Sequence, residues 1–142
     1  MIEISEDNSA ECEAAILSGL KAFNRTRCEW LHAHPDAQRS GHNFIARDSS
    51  GALLGGAVGY EQYGWFSIDL LLVTEAARGH GLGSRLMAAA ERHARQAGCV
   101  GVRVGTWSFQ ALDFYKKCGF TVYGSLSDFP PGATAYLLKK KF

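Results

Sequence analysis

The sequence predicts an α/β fold, in which a mixed sheet has helices on both faces. Segments with helical spacing of apolar residues alternate with short apolar runs that end in glycine-rich turns. Their order is two helices, a three-stranded meander, a helix, a strand, a helix and two final strands, which is typical of a mixed α/β sheet. The 142 residues, 46% of them hydrophobic, suffice for one buried core, so we expect a single domain over residues 1–142.

The first third of the chain predicts two helices and two strands. Apolar residues at helical spacing predict a helix over residues 10–24. A shorter helix around Trp30 ends before Pro35, because the residue ahead of a proline disfavours helical geometry. Residues 43–47 and 52–60 are expected to be strands joined by a turn of aspartate, serine and glycine.

The middle third contains the most strand-like segment, Trp65–Val73, which follows a turn predicted at residues 61–64. Residues 70–73 are apolar on both faces of the pleat, which predicts a central strand covered above and below. A helix with one apolar stripe is predicted over residues 82–97, and Gly98 follows where a left-handed C-cap is expected.

The last third predicts a strand, a helix and two more strands. Alternating valines at residues 100–104 indicate the strand, and Ser108 is expected to N-cap a helix that runs through Cys118. Residues 120–123 and 133–139 are the last predicted strands, on either side of a Pro-Pro-Gly turn.

Composition excludes several classes of function. The chain has 15 basic and 14 acidic residues, so no nucleic-acid partner is expected. No apolar run approaches the roughly 20 residues of a membrane span. Four widely spaced cysteines predict reduced thiols in a cytoplasm. His32, His34 and His42 lie loosely around Pro35 and are interpreted as surface residues, so no metal site is expected.

The segment most informative about function is residues 78–84, Arg-Gly-His-Gly-Leu-Gly-Ser. The first backbone N–H groups of a helix lack intrahelical partners and lie at the positive end of the helix dipole. Glycines without Cβ atoms let an anion approach them, so a phosphate or pyrophosphate site is predicted, with Arg78 as a forked donor at its rim. The dinucleotide fingerprint and the P-loop both fail here, because the third glycine and the Gly-Lys-Ser/Thr sequence are absent.

Two motifs resemble the GNAT family of N-acetyltransferases. Arg78-x-x-Gly81-x-Gly83 is similar to the (Arg/Gln)-x-x-Gly-x-(Gly/Ala) signature that binds the pyrophosphate of acetyl-CoA in that family. A second motif of the family matches in register at Ala111, Tyr115, Gly119 and Phe120, with Ser108 where many members have asparagine. The Phe-Gln-Ala-x-x-Phe-Tyr form resembles a bacterial single-domain subgroup, and the resemblance covers residues 43–142.

The resemblance implies a GNAT-like domain with a mostly antiparallel sheet of about six to seven strands, in which two central strands splay apart. The pantetheine arm would pair with residues 71–73, with Gly101 and Gly105 letting the neighbouring strand bend away, and the Val73 N–H would bind the thioester carbonyl. The implied cofactor-binding residues are Leu71, Leu72, Val73, Arg78, Gly79, His80, Gly81, Leu82, Gly83, Ser84, Ser108 and Gln110.

Tyr115 is the general acid that the resemblance implies, protonating the CoA thiolate as it leaves. The alternative is a core tyrosine that packs on Phe114 and Phe120. Asp69 is the first candidate for the general base, because a carboxylate among apolar strand residues is costly unless it is paired or functional. Glu75 and a chain of water molecules are the other candidates.

The resemblance implies direct acetyl transfer to a primary amine within a ternary complex. The acceptor would be a small molecule or a peptide, without nucleic acid or membrane, and homodimers are common in the family. One alternative is a catalytically silent module that senses acyl-CoA. Others are a different acyl group, an O-linked acceptor, or a nucleotide-binding protein, which the failed fingerprints disfavour.

Overall fold

The computed structural model describes all 142 residues, which form two compact units, residues 1–37 and 38–142. The prediction of a single domain over residues 1–142 therefore stays a prediction. The helices and strands are α1 (Ala10–Arg27), α2 (Glu29–Ala33), β1 (Ser40–Arg47), β2 (Leu53–Gln62), β3 (Trp65–Val73), α3 (Leu82–Gln96), β4 (Gly101–Trp107), α4 (Leu112–Lys117), β5 (Thr121–Ser127) and β6 (Thr134–Lys141).

The first unit contains the two predicted helices. The Ser9 side chain caps α1 by accepting a hydrogen bond from the Cys12 backbone N–H. Helix α1 runs to Arg27, past the predicted end at residue 24, because no breaker interrupts it before α2 begins at Glu29. Within this unit the Arg25 guanidinium donates to the Pro35 carbonyl at 2.8 Å.

The second unit is built on a six-stranded sheet with the order β1-β2-β3-β4-β6-β5. Only β3 and β4 pair in parallel, which confirms the predicted mixed, mostly antiparallel sheet. The turn predicted at residues 61–64 is shorter than expected. Glu61 and Gln62 continue β2 and pair with β3, so the turn is confined to Tyr63 and Gly64, both of which have positive φ.

One face of this sheet carries the core. Alternate residues of the central strands, Phe66, Val102 and Leu138 among them, are buried against Met87 of α3 and Tyr115 of α4. Both helices of the second unit therefore lie on the same face. The expectation of helices on both faces stays a prediction for α1 and α2.

The two parallel strands part halfway along their length, which confirms the predicted splay. Strand β3 pairs with β4 only from Trp65↔Gly101 to Ile68↔Val104. Beyond that point β3 continues alongside β2, and β4 alongside β6. The expectation that residues 70–73 are covered on both faces is wrong, since Leu70 and Leu72 are 64% and 55% exposed.

Three local predictions also differ from the structure. Ser108 does not cap α4; its hydroxyl accepts a hydrogen bond from the Thr134 N–H and joins the start of β6, while Ala111 is the N-cap residue. Gly101 lies at the paired end of β4 and not at the splay, and a Cβ there would lie 2.6 Å from the Trp65 ring. Ala97, the last residue of the helix predicted over residues 82–97, is an exposed C-cap. All four cysteines are free, and no helix combines the length and apolarity that a membrane crossing requires.

Candidate cofactor-binding and catalytic site

A cavity of about 450 Å³ lies where β3 has parted from β4. Its walls come from the end of β3, the glycine loop with the start of α3, and the start of α4. The lining residues are Leu71, Leu72, Val73, Ala77, Arg78, Gly79, Gly81, Leu82, Gly83, Ser84, Ala111 and Phe114. Nine of the predicted cofactor-binding residues thus lie around one space, although they come from two separate elements.

The end of β3 presents unpaired backbone groups to this cavity. The Thr74 N–H donates to the Leu54 carbonyl of β2 at 2.9 Å. Because successive amides of a strand point to opposite edges, the N–H groups of Val73 and Leu71 point away from β2, toward the edge that β4 has left. An extended ligand could pair with this edge, and the predicted donor, the Val73 N–H, lies on it.

The glycine loop supplies the second set of free N–H groups. Gly79 and Gly81 have φ values of 83° and 74°, in the left-handed region that glycine adopts without a steric penalty. Gly81 is the N-cap of α3, and no side chain caps the helix there. The first intrahelical bond runs from the Arg85 N–H to the Gly81 carbonyl. The N–H groups of residues 82–84 are therefore available to an anion at the positive end of the helix dipole.

Arg78 connects the two halves of the cavity. Its Nε donates to the Val73 carbonyl at 3.1 Å, while the side chain as a whole stays exposed. This bond anchors the guanidinium beside the strand end and leaves its terminal nitrogens free to meet an anion. His80 is exposed and does not line the cavity, and Glu75 is an exposed residue of a short 3-10 turn.

The sequence did not single out Phe114 as a site residue, yet its ring forms one wall of the cavity. A Cβ on Gly83 would lie 3.2 Å from that ring, so the glycine lets α3 and α4 approach closely at this point. Phe114 directly precedes Tyr115 in the second motif, which is the only signal in the sequence that points to it. Ser108 and Gln110 lie outside the cavity lining, and the Gln110 amide oxygen accepts from Thr106 and Trp107 instead.

Tyr115 is 5% exposed and packs edge-on against Phe114 and Phe120, as the core alternative describes. Burial, and to a smaller extent the neighbouring Cys118 thiol, raises the pKa of its hydroxyl from 10.0 to about 12. The hydroxyl makes no hydrogen bond. Tyr115 does not itself line the cavity, but it directly follows Phe114, whose ring does.

Asp69 is exposed, so the expectation of a carboxylate buried among apolar residues is wrong. The reason is its position. It follows Ile68, the last residue of β3 that pairs with β4, so it lies where the two strands part. There it borders a second, smaller cavity of about 120 Å³, together with Gly105 and Arg103.

The smaller cavity has polar surroundings. The Arg103 guanidinium donates to the Ser67 hydroxyl at 2.6 Å and approaches the Tyr60 hydroxyl at 3.4 Å. Arg103 and Tyr123 also line a further cavity of about 440 Å³, which Trp65 and Lys139 border. Three aromatic residues, Tyr60, Tyr63 and Trp65, also line these two spaces.

Comparison with known proteins finds acetyltransferases by family model, by sequence and by structure. The model of the acetyltransferase (GNAT) family matches residues 7–120. Blasticidin-S acetyltransferase of Streptomyces morookaense is 51% identical over 92 residues, which cover 64% of this chain and 68% of that protein. An acetyltransferase of Agrobacterium fabrum is 35% identical over 139 residues, 98% of this chain and 97% of the other. The crystal structure of a Bacillus cereus acetyltransferase is 26% identical and superposes with a TM-score of 0.87, over 99% of this chain and 98% of that one.

Proposed function

Because the chain belongs to the acetyltransferase (GNAT) family, we propose that it transfers the acetyl group of acetyl-CoA directly to a primary amine of a small-molecule acceptor, within a ternary complex. The observation that carries this proposal is the 450 Å³ cavity, where the free edge of β3 meets the uncapped N-terminus of α3. An extended pantetheine arm needs the first feature and a pyrophosphate needs the second.

The residues of the cavity take the roles that acetyl-CoA requires. The N–H groups of residues 82–84 and the terminal nitrogens of Arg78 hold the pyrophosphate, and the edge of β3 holds the pantetheine amides. The Val73 N–H then donates to the thioester carbonyl and stabilises the oxygen as negative charge develops on it. Such a preorganised donor typically contributes about 3–4 kcal/mol to a lower barrier.

Proton transfers need one group on each side of the thioester. We assign protonation of the departing thiolate to Tyr115, which directly follows the cavity residue Phe114 on α4. We assign the amine to Asp69, which lies on β3 two residues before Leu71, or to water that Asp69 holds in the smaller cavity. Its exposure at the smaller cavity supports this role, since a proton acceptor has to reach the incoming amine.

The acceptor is proposed to enter through the smaller cavity that Asp69 and Arg103 border. A small-molecule acceptor is supported by the relative that is 51% identical, which is a blasticidin-S acetyltransferase. We therefore propose blasticidin S as the first compound to test, followed by other small amines and by peptides with free N-termini. Homodimer formation and a cytoplasmic location stay predictions.

The experiment is a turnover assay with purified protein, acetyl-CoA and this panel of amines, in which the release of free CoA thiol is followed. Acetylation of at least one amine, identified by a mass increase of the product, is the expected result. Binding of acetyl-CoA without turnover on any amine would instead favour the acyl-CoA-sensing alternative. Absence of acetyl-CoA binding would refute the assignment of the cavity.

A further inference from the structure

Three metal-ligating side chains converge where α3 crosses β1 and β2. They are His42 of β1, Glu61 of β2 and His93 of α3, and their donor atoms lie within 4.8 Å of one another. The carboxylate faces both ring nitrogens, with Oε1 3.6 Å from His42 Nε2 and Oε2 3.6 Å from His93 Nε2. All three residues are partly buried.

The three side chains face one another but form no hydrogen bonds with one another. A separation of 3.6 Å is longer than the roughly 2.7–3.2 Å of a hydrogen bond between nitrogen and oxygen. His93 Nε2 is moreover the one buried side-chain nitrogen or oxygen in the chain that has no hydrogen-bond partner. Buried polar atoms are rarely left so in native proteins, and an ion or a water molecule between the groups is the usual explanation.

We propose that His42, Glu61 and His93 bind a divalent transition-metal ion of the Zn²⁺ type. Zinc bonds to imidazole nitrogen and carboxylate oxygen of about 2.0–2.2 Å separate the ligand atoms of a tetrahedral site by roughly 3.3–3.6 Å. The two nitrogen–oxygen separations of 3.6 Å, one to each carboxylate oxygen, lie at the upper end of that spacing, and all donor atoms lie within 4.8 Å of one another. Two histidines and one carboxylate are an established set of zinc ligands, and imidazole also suits copper, nickel and cobalt.

The surroundings hold the ligands in place. The rings of His42 and His93 are 4.0 Å apart between centroids, and Phe66 packs edge-on against His93 at 5.5 Å. The Ser40 hydroxyl is hydrogen-bonded to His42 Nε2 at 3.0 Å, so the ion would replace this bond, and a water molecule can occupy the fourth position. Each ligand is borne by a regular strand or helix, which fixes its direction better than a loop does.

The position of the cluster indicates a stabilising role. His93 lies eleven residues along α3 from Leu82, roughly 16 Å from the glycine loop at a rise of about 1.5 Å per residue. None of the three ligands lines the cavity of the proposed cofactor site or the smaller cavity beside Asp69. The ion links two strands at the sheet edge to the helix that carries the proposed pyrophosphate site. The sequence prediction of no metal grouped His42 with His32 and His34 by their nearness along the chain, whereas the fold places it beside His93.

The test uses tag-free protein stripped of metal with a chelator and then titrated with ZnCl₂ in a calorimeter, or with Co²⁺ while the visible absorption is recorded. One ion per chain is expected to bind, with a visible band typical of tetrahedral Co²⁺ and a rise in Tm on adding Zn²⁺. Glu61→Gln keeps the shape of the side chain and His42→Ala truncates a partly exposed ring; each should weaken binding at least about tenfold. The control His32→Ala, at an exposed histidine outside the cluster, should bind as the wild type does. Absence of stoichiometric binding by the wild type would refute the site. Wild-type affinity for the ion in both Glu61→Gln and His42→Ala would refute it as well.

Discussion

Replacing Tyr115 by phenylalanine separates its catalytic role from its structural role. The substitution removes one hydroxyl oxygen that makes no hydrogen bond, and it keeps the ring that packs on Phe114 and Phe120. We therefore expect the free energy of unfolding to change by less than about 1 kcal/mol. A general acid typically contributes 10²- to 10⁴-fold to the rate, which is about 2.7–5.4 kcal/mol of the barrier. Turnover should fall by that factor in a protein that is as stable as the wild type.

The assay measures kcat and the KM for acetyl-CoA by thiol release, together with the affinity for CoA by calorimetry. Only kcat should fall, because the role assigned to the hydroxyl is to protonate the departing thiolate and not to hold the cofactor. Tyr136→Phe is the matched control, since Tyr136 is also partly buried against the core and lines none of the three cavities. Should Tyr115→Phe keep more than half of the wild-type kcat, the acid assignment fails and Tyr115 is a core residue alone.

Three further outcomes follow from the same structure. Because the pKa of Tyr115 is raised to about 12, its hydroxyl stays neutral in the native state at a pH where the same hydroxyl ionises in the unfolded chain, near pH 10. The free energy of unfolding of the wild type should therefore fall by up to about 2.7 kcal/mol as the pH rises from 10 to 12. Urea unfolding at several alkaline pH values should show this loss, and Tyr115→Phe should lack it. Gly81→Val should weaken CoA binding at least tenfold, while Gly98→Val, which strains a similar positive φ at the other end of α3, should leave the affinity unchanged; equal effects of the two would count against the pyrophosphate site. Asp69→Asn should lower kcat at least 100-fold and Glu75→Gln should not, and the reverse order would move the base to Glu75.

The candidate site was predictable where its chemistry is local. The left-handed φ of Gly79 and Gly81, the uncapped start of α3 and the anion site they form depend on a few consecutive residues. Phe114 was missed because its role arises from the contact that Gly83 permits between two helices. Ser108 was misassigned because its hydroxyl meets Thr134, a residue far away along the chain.

The sequence by itself determined the order of helices and strands, the glycine loop and the six-stranded mixed sheet, because apolar periodicity and turn residues act over a few neighbouring positions. The tertiary structure alone decided where β3 leaves β4, and with it the exposure of Leu70 and Asp69. It also decided that His42 meets His93 and that Tyr115 lies in the core. These features depend on strand register and helix packing between residues that are distant along the chain, and those contacts form only when the chain folds.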